Sequence, residues 1–135
     1  MSRLFVTAAS LRVPTFSVVL RKGYGLGAMG MTAGGFHAPV FTVAWPTGEF
    51  GAMGLEGAVR LGFRKELEAL PEGAERDALF AKLLAKSYAN GEAMHMAATL
   101  EIDAVIDPAD TRAWLARGLA SAQVAPLGPR CIDTW

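Results

Sequence analysis

Ser17-Val18-Val19-Leu20-Arg21-Lys22-Gly23-Tyr24-Gly25-Leu26-Gly27-Ala28-Met29-Gly30-Met31-Thr32 is the stretch on which the fold turns. It continues an apolar, β-branched run that starts at Phe16, shortly after Pro14, and this run reads as a buried strand. Arg21 and Lys22 follow, and then Gly23, Gly25, Gly27 and Gly30 crowd together as the composition turns helix-compatible at Ala28 and Met29. A strand, a glycine-rich turn and a helix start can aim several backbone N–H groups at one point. The first turn of a helix leaves its amide donors unpaired, and glycine lets the backbone approach a ligand closely. Such a place takes either a phosphate or a developing oxyanion, and the choice decides the function.

The phosphate choice has a motif behind it. Gly25-Leu26-Gly27-Ala28-Met29-Gly30 fits G-x-G-x-x-G directly after a strand, the dinucleotide fingerprint. Its surroundings fit less well. Thr32-Ala33-Gly34-Gly35 interrupts the helix too early for a βαβ unit. Glu49 has nearly the spacing of a ribose-binding acid, but it follows the turn Trp45-Pro46-Thr47-Gly48 instead of ending a strand. Arg21 and Lys22 also place charge where a Rossmann strand is apolar. A dinucleotide-binding domain stays as an alternative reading.

Working outward, 135 residues suffice for one domain with a core, and too few for two ordinary ones. Apolar residues make up 52% and charged residues 19%, below the usual ~25%. That balance predicts surface meant for burial against another chain or against a missing part of its own. Thirteen basic residues cancel thirteen acidic ones, which gives no argument for nucleic acid or an anionic membrane. The single cysteine, Cys131, rules out an internal disulfide, reads as a free thiol and suits a reducing cytoplasm. No apolar run reaches the ~18 residues of a membrane span, and Met1-Ser2-Arg3 does not open a signal peptide. A soluble, cytoplasmic protein is expected.

The periodicity predicts a helix over 2–12, a second strand over Val40–Ala44, and a short third over 50–53. The three strands suggest a mostly parallel, helix-separated sheet. Leu55, Val59, Phe63, Leu67 and Leu70 fall on one stripe and predict a long helix, with Arg60, Arg64, Lys65 and Glu68 on its solvated face. Another helix spans 74–89, with Phe80, Leu83, Leu84, Ser87 and Tyr88 on its apolar side and Asn90-Gly91 as its C-cap. Glu92–Ala98 resumes as helix. Leu100, Ile102, Ala104 and Ile106 alternate with polar neighbours and predict a half-buried strand. Asp107 with Pro108 opens a last helix, whose buried side is Trp114, Leu115 and Leu119. The domain is expected over 1–121, incomplete at its N-terminus, with 122–135 as a loose tail or an interface strap ending in Trp135.

Side chains offer no catalytic team. His37 and His95 have no metal-like neighbour in sequence, Ser17 lacks the G-x-S-x-G elbow, and Cys131 lacks a base. Lys22 reads either as an anion-attracting charge or as an ordinary strand end. A metal site is not expected.

Three segments in order carry a family resemblance. They are Arg21-Lys22-Gly23-Tyr24-Gly25-Leu26-Gly27-Ala28, Ala44-Trp45-Pro46-Thr47-Gly48-Glu49 and Met53-Gly54-Leu55-Glu56-Gly57-Ala58-Val59. With Ile102 to Pro108 and Thr111-Arg112, they make the chain resemble the biotin-dependent acyl-CoA carboxylases over about residues 3 to 120. The likeness is to the C-terminal half of the carboxyltransferase (β) subunit of the propionyl-CoA and methylcrotonyl-CoA carboxylase type. It implies an α/β, crotonase-like ββα-spiral fold, and carboxyl transfer from carboxybiotin on a carrier protein to an acyl-CoA. Matched residue by residue, the family's Arg-Lys-x-Tyr-Gly-Gly-Ala places its two oxyanion-hole amides, on the biotin side, at Leu26 and Gly27. Tyr24, Gly25 and Ala28 then border the cofactor. Leu26 stands where the family has glycine, which leaves a backbone donor in place.

The same resemblance implies that the companion oxyanion hole and most of the CoA pocket belong to an N-terminal half, found on a neighbouring subunit. Expected partners are therefore an N-terminal half or a full-length subunit, and a biotin carboxyl carrier or biotin carboxylase subunit, in a homo-oligomer. The competing reading is a non-catalytic fragment that assembles with a full-length carboxyltransferase.

Overall fold

Two short strands followed by a helix make up a unit that occurs twice in succession in this chain. β1 (Phe16–Val19) and β2 (Lys22–Tyr24) lead into α2 (Gly25–Met31), and β3 (Phe41–Ala44) and β4 (Glu49–Gly51) lead into α3 (Leu55–Gly62). The two strands of each pair join different sheets. β1, β3 and the two-residue β5 (Ala104–Val105) form one parallel sheet with β3 in the middle, and β2 pairs with β4, also parallel. The rest is α1 (Ser2–Ala9), α4 (Arg64–Glu68), α5 (Ala74–Asn90), α6 (Ala93–Ala98) and α7 (Thr111–Ser121). The structure, a computed structural model, describes residues 2–123, so the tail with Cys131 and Trp135 lies outside the described residues. The layout is the expected ββα spiral.

β3 is buried along its whole length because both of its faces are covered. Phe41 and Val43 pack with Ile106, Phe16 and Trp114, under α7. Ala44 points the other way and packs with Phe50, Ala93 and Ile102, beside α6. Thr42 is fully buried between them, which is tolerable because its polar groups are satisfied. Its hydroxyl donates to the Phe36 carbonyl at 2.6 Å, and its amide donates to the Asp103 carboxylate at 2.7 Å. Gly118 lets α7 approach the sheet, since a Cβ there would lie 2.6 Å from the Phe41 ring.

Several expectations need correction. β2 was not foreseen, and the strands divide between two sheets instead of forming one. α2 starts at Gly25, not at Ala28, and α1 stops at Ala9. The expected long helix breaks at Phe63, whose φ of −111° and ψ of 29° leave the helical region, and this separates α3 from α4. Arg60 is not simply solvated, because its guanidinium lies 4.5 Å over the Phe80 ring. Leu100 is not a strand residue facing the core. It ends α6 with a left-handed φ of 62°, in a cap where the Glu101 amide donates to Met96 and the Leu100 amide to Ala97, and its side chain points to solvent. Leu119 is exposed too, and Gly118 takes the buried position on α7. Asp107 does cap as expected, accepting from the Ala109 amide at 2.8 Å over a short 3-10 turn that runs into α7.

Candidate functional site

The glycine junction is fixed from both sides. The Thr47 hydroxyl donates to the Leu20 carbonyl and the Glu49 amide donates to the Arg21 carbonyl, each at 2.6 Å, so the β3–β4 turn holds the β1–β2 turn. β2 then runs beside β4 in the register Lys22–Glu49, Gly23–Phe50 and Tyr24–Gly51. At Gly25 the chain turns abruptly into α2 with a left-handed φ of +61°. A Cβ there would sit 2.7 Å from the Ala52 carbonyl oxygen, so glycine is required by conformation and by space together. Behind the helix, Gly30 packs under α1, where a Cβ would stand 2.7 Å from Leu4.

Leu26 and Gly27 therefore occupy the first turn of α2, where no helical carbonyl lies four residues back to take their amides. Both residues are exposed, Leu26 at 60%. Ala28 follows half-buried in the same turn. The structure thus brings Tyr24, Gly25, Leu26, Gly27 and Ala28 together at one strand-to-helix corner.

Tyr24 is held by a partner that the sequence reading missed. Its hydroxyl donates to Glu49 Oε2 at 2.7 Å, and Arg21 Nε stands 3.9 Å from Glu49 Oε1. Burial, and then the bond to Glu49, push the Tyr24 hydroxyl well above the usual tyrosine range. A second pair lies nearby: the Tyr88 hydroxyl donates to Glu56 Oε1 at 3.0 Å. That bond raises the Tyr88 pKa, and the backbone amide of Glu56, followed by Tyr88, lowers the Glu56 carboxyl. Lys22 is an exposed strand residue whose charge also favours ionised Glu56. Two tyrosines and two carboxylates pin the ends of β2, β4, α3 and α5 around the corner.

A cavity of about 760 Å³ opens next to this corner. Gly25 and Met29 of α2, the 34–38 loop, Phe50 to Ala52, Leu55, the end of α5 and Met96 line it. His37 reaches its wall, whereas His95 lies exposed on α6, and the structure does not bring the two into one site. The dinucleotide reading fails here. The helix after the glycines spans just Gly25–Met31, and the strand leading into it belongs to a two-stranded sheet, not to a doubly wound one.

Comparison with known proteins gives this geometry its context. Residues 2–128 match the carboxyl transferase domain family. The chain belongs to that family. It is 36% identical over 120 residues to the methylmalonyl-CoA carboxyltransferase 12S subunit of Propionibacterium freudenreichii, covering 87% of this chain and 22% of the relative. It is 32% identical over 126 residues to the propionyl-CoA carboxylase beta chain of Saccharopolyspora erythraea, with the same two coverages, 87% and 22%. Among solved structures, a single-chain, multi-domain long-chain acyl-CoA carboxylase superposes with a TM-score of 0.71 at 55% identity, over 86% of this chain and 11% of that one. The hexameric transcarboxylase 12S superposes with a TM-score of 0.78 at 31% identity, over 96% of this chain and 25% of that one. The chain spans about a fifth of the length of the curated relatives it matches.

Proposed function

We propose that this chain supplies the C-terminal, biotin-side half of the carboxyltransferase of a biotin-dependent acyl-CoA carboxylase. The observation that carries this reading is the corner at Gly25, where the exposed residues Leu26 and Gly27 open the first turn of α2 in a fold shared with carboxyltransferases. Bound biotin would supply the carboxyl group to be transferred. The chain's own part is to hold charge: the two amides donate to an oxygen that becomes more negative during transfer, each good donor being worth roughly 3–4 kcal/mol. Gly25 brings the backbone close enough, the fixed ring of Tyr24 walls one side and Ala28 borders the other. The corner fits such a group, since it offers backbone donors and needs no acid–base pair of its own.

The substrate class is a long-chain acyl-CoA, because the superposed long-chain acyl-CoA carboxylase is 55% identical and the superposed transcarboxylase 12S 31%. The partners are an N-terminal carboxyltransferase half and a biotin carboxyl carrier or biotin carboxylase component, in a cytoplasmic homo-oligomer. Among the described residues no helix is long and apolar enough to cross a membrane.

The test is reconstitution. The chain mixed with an N-terminal half should transfer carboxyl groups to acyl-CoA, and neither part should do so alone. Gly27→Pro deletes one amide in the first helical turn, where no intrahelical bond is lost, and should lower turnover at least 100-fold. Unchanged turnover in that variant refutes the role of the corner. A calorimetric titration showing micromolar affinity for NAD and none for biotin would restore the dinucleotide reading. The second reading, a non-catalytic assembly partner, would show as assembly without turnover.

A further inference from the structure

Tyr88 at the end of α5 meets Glu56 at the start of α3, and Phe80 meets Arg60 further along, so the two helices run antiparallel. A second cleft, of about 340 Å³, opens where α3, α4 and the first turns of α5 meet, at the end of this pair remote from Gly25. Buried Leu67 and half-buried Phe80 give it an apolar floor, and Arg60, Arg64, Arg76, Glu68 and Asp77 complete the lining. The three arginines are not equivalent. Arg64 is satisfied, its Nε donating to Glu68 Oε1 at 2.7 Å. Arg60 has no carboxylate partner among the described residues, and its guanidinium is held 4.5 Å over the Phe80 ring. Arg76 reaches only Glu72, at 3.6 Å, which is beyond hydrogen-bond length, and that carboxylate is almost fully exposed. A cation in the first turn of a helix opposes the helix dipole, so Arg76 does not steady α5. Two guanidinium groups thus line one cleft with donors that no described residue takes up.

A guanidinium presents a planar fork of N–H donors that matches a carboxylate, and packing on a ring limits how that fork can turn. Leu67 and Phe80 offer apolar surface to whatever carries the carboxylate in. Asp77 decides between kinds of anion. It has no cation within ion-pair distance among the described residues, so it repels a phosphate dianion but accepts a backbone N–H from a peptide. From these groups together we infer that the cleft binds a glutamate or aspartate side chain on an acidic, partly apolar segment of a partner protein. The site shares no residue with the Gly25 corner, and the inference does not rest on the carboxyltransferase reading. An acidic partner docks here without covering Leu26 or Gly27.

The experiment follows the arginine Nε–Hε signals of the 135-residue chain by nuclear magnetic resonance. The titrants are a short blocked peptide alternating leucine and glutamate, its glutamine counterpart, and inorganic phosphate. The glutamate peptide should shift Arg60 and Arg76 and leave Arg64, which Glu68 already holds, in place. The uncharged glutamine peptide should bind at least about tenfold more weakly. Arg60→Gln and Arg76→Gln, each checked for folding by circular dichroism, should each weaken the glutamate peptide by about tenfold. Asp77→Asn, which keeps an acceptor but removes the charge, should strengthen phosphate binding and leave the peptide nearly unchanged. Equal binding of both peptides, equal shifts at all three arginines, or an affinity that neither arginine variant lowers would overturn the assignment. Phosphate that displaces the peptide from the wild-type chain at equal concentration would make the cleft a phosphate site instead. Movement of the Arg60 and Arg76 signals on concentrating the chain alone would assign the cleft to a second copy, and would overturn the proposal equally.

Discussion

Gly25 and Gly27 lie two residues apart in the same glycine-rich corner, and alanine at each should act with opposite sign. At Gly25 an alanine must hold φ near +61°, which costs about 1–2 kcal/mol in an L-residue. Its Cβ would also meet the Ala52 carbonyl oxygen at 2.7 Å, and backbone on both sides must give way. Forced shifts of that kind cost about 1–3 kcal/mol. The sum is a destabilisation of about 2–5 kcal/mol. At Gly27 a Cβ meets nothing within 4 Å and the residue is helical, so alanine should be neutral or stabilise by up to about 1 kcal/mol. Urea unfolding followed by tryptophan fluorescence reads both variants, because Trp45 and Trp114 border the β3 core. The Gly25→Ala midpoint should fall and the Gly27→Ala midpoint hold or rise, with a common slope. If Gly25→Ala proves as stable as Gly27→Ala, the corner is not constrained as described, and the placement of the two amides loses its physical basis.

Further outcomes follow from other parts of the structure. Tyr24 has a hydroxyl pKa raised above its unfolded value near 10, so the folded state keeps a proton the unfolded state gives up. That stabilisation is complete below about pH 10 and is lost as pH rises beyond it, so unfolding midpoints should decline less steeply above pH 10 in Tyr24→Phe than in wild type. Asp103→Ala removes the acceptor of the buried Thr42 amide and should cost about 1–3 kcal/mol in chemical denaturation, while Asp103→Asn, which keeps an acceptor, should cost less. Sedimentation velocity should show the chain self-associating, or binding an N-terminal half, because Met31, Leu61, Met94 and Leu100 are each at least 66% exposed; a monodisperse monomer at tens of micromolar would contradict this.

How far the sequence revealed this arrangement depended on how local the cause was. β1, β3 and α5 follow from apolar runs and periodicity within a single segment, and they fell where the pattern put them. β2 is three residues, Lys22-Gly23-Tyr24, with no strand pattern of its own, and it is a strand because Glu49–Gly51 lies beside it. The start of α2 was hidden for a related reason. Gly25 and Gly27 are poor helix formers, and the close neighbours that demand glycine, the Ala52 carbonyl at Gly25 and Leu4 at Gly30, come from other segments. Leu100 kept the alternation of a strand, but the end of α6 needed a left-handed residue and took it. The strand-to-helix corner itself was legible, because glycines crowd where an apolar run ends. Glu49 as the partner of Tyr24 was not, since 25 residues separate the two, and the cavity was not, since its wall comes from several distant segments.

The exposure of the corner bears on why such a chain would need a covering partner. α2 is seven residues long, so the two amides count more as local donors than through a helix dipole. A local donor is worth little in water, where the same charges interact about four times more weakly than at an effective dielectric constant near 20. With Leu26 at 60% exposure, the first turn of α2 lies at the solvent surface of the isolated chain. The corner itself is rigid: Gly25 is locked against Ala52, Tyr24 against Glu49, and β2 against β4. Pre-organisation is therefore already built into this half, and exclusion of water is what it lacks. A second surface closing over Leu26 would change few bonds in this chain and still multiply what its amides can stabilise. If the corner acts as proposed, that division, with rigid donors on one chain and the cover on another, would make activity a property of the assembly and not of this chain alone.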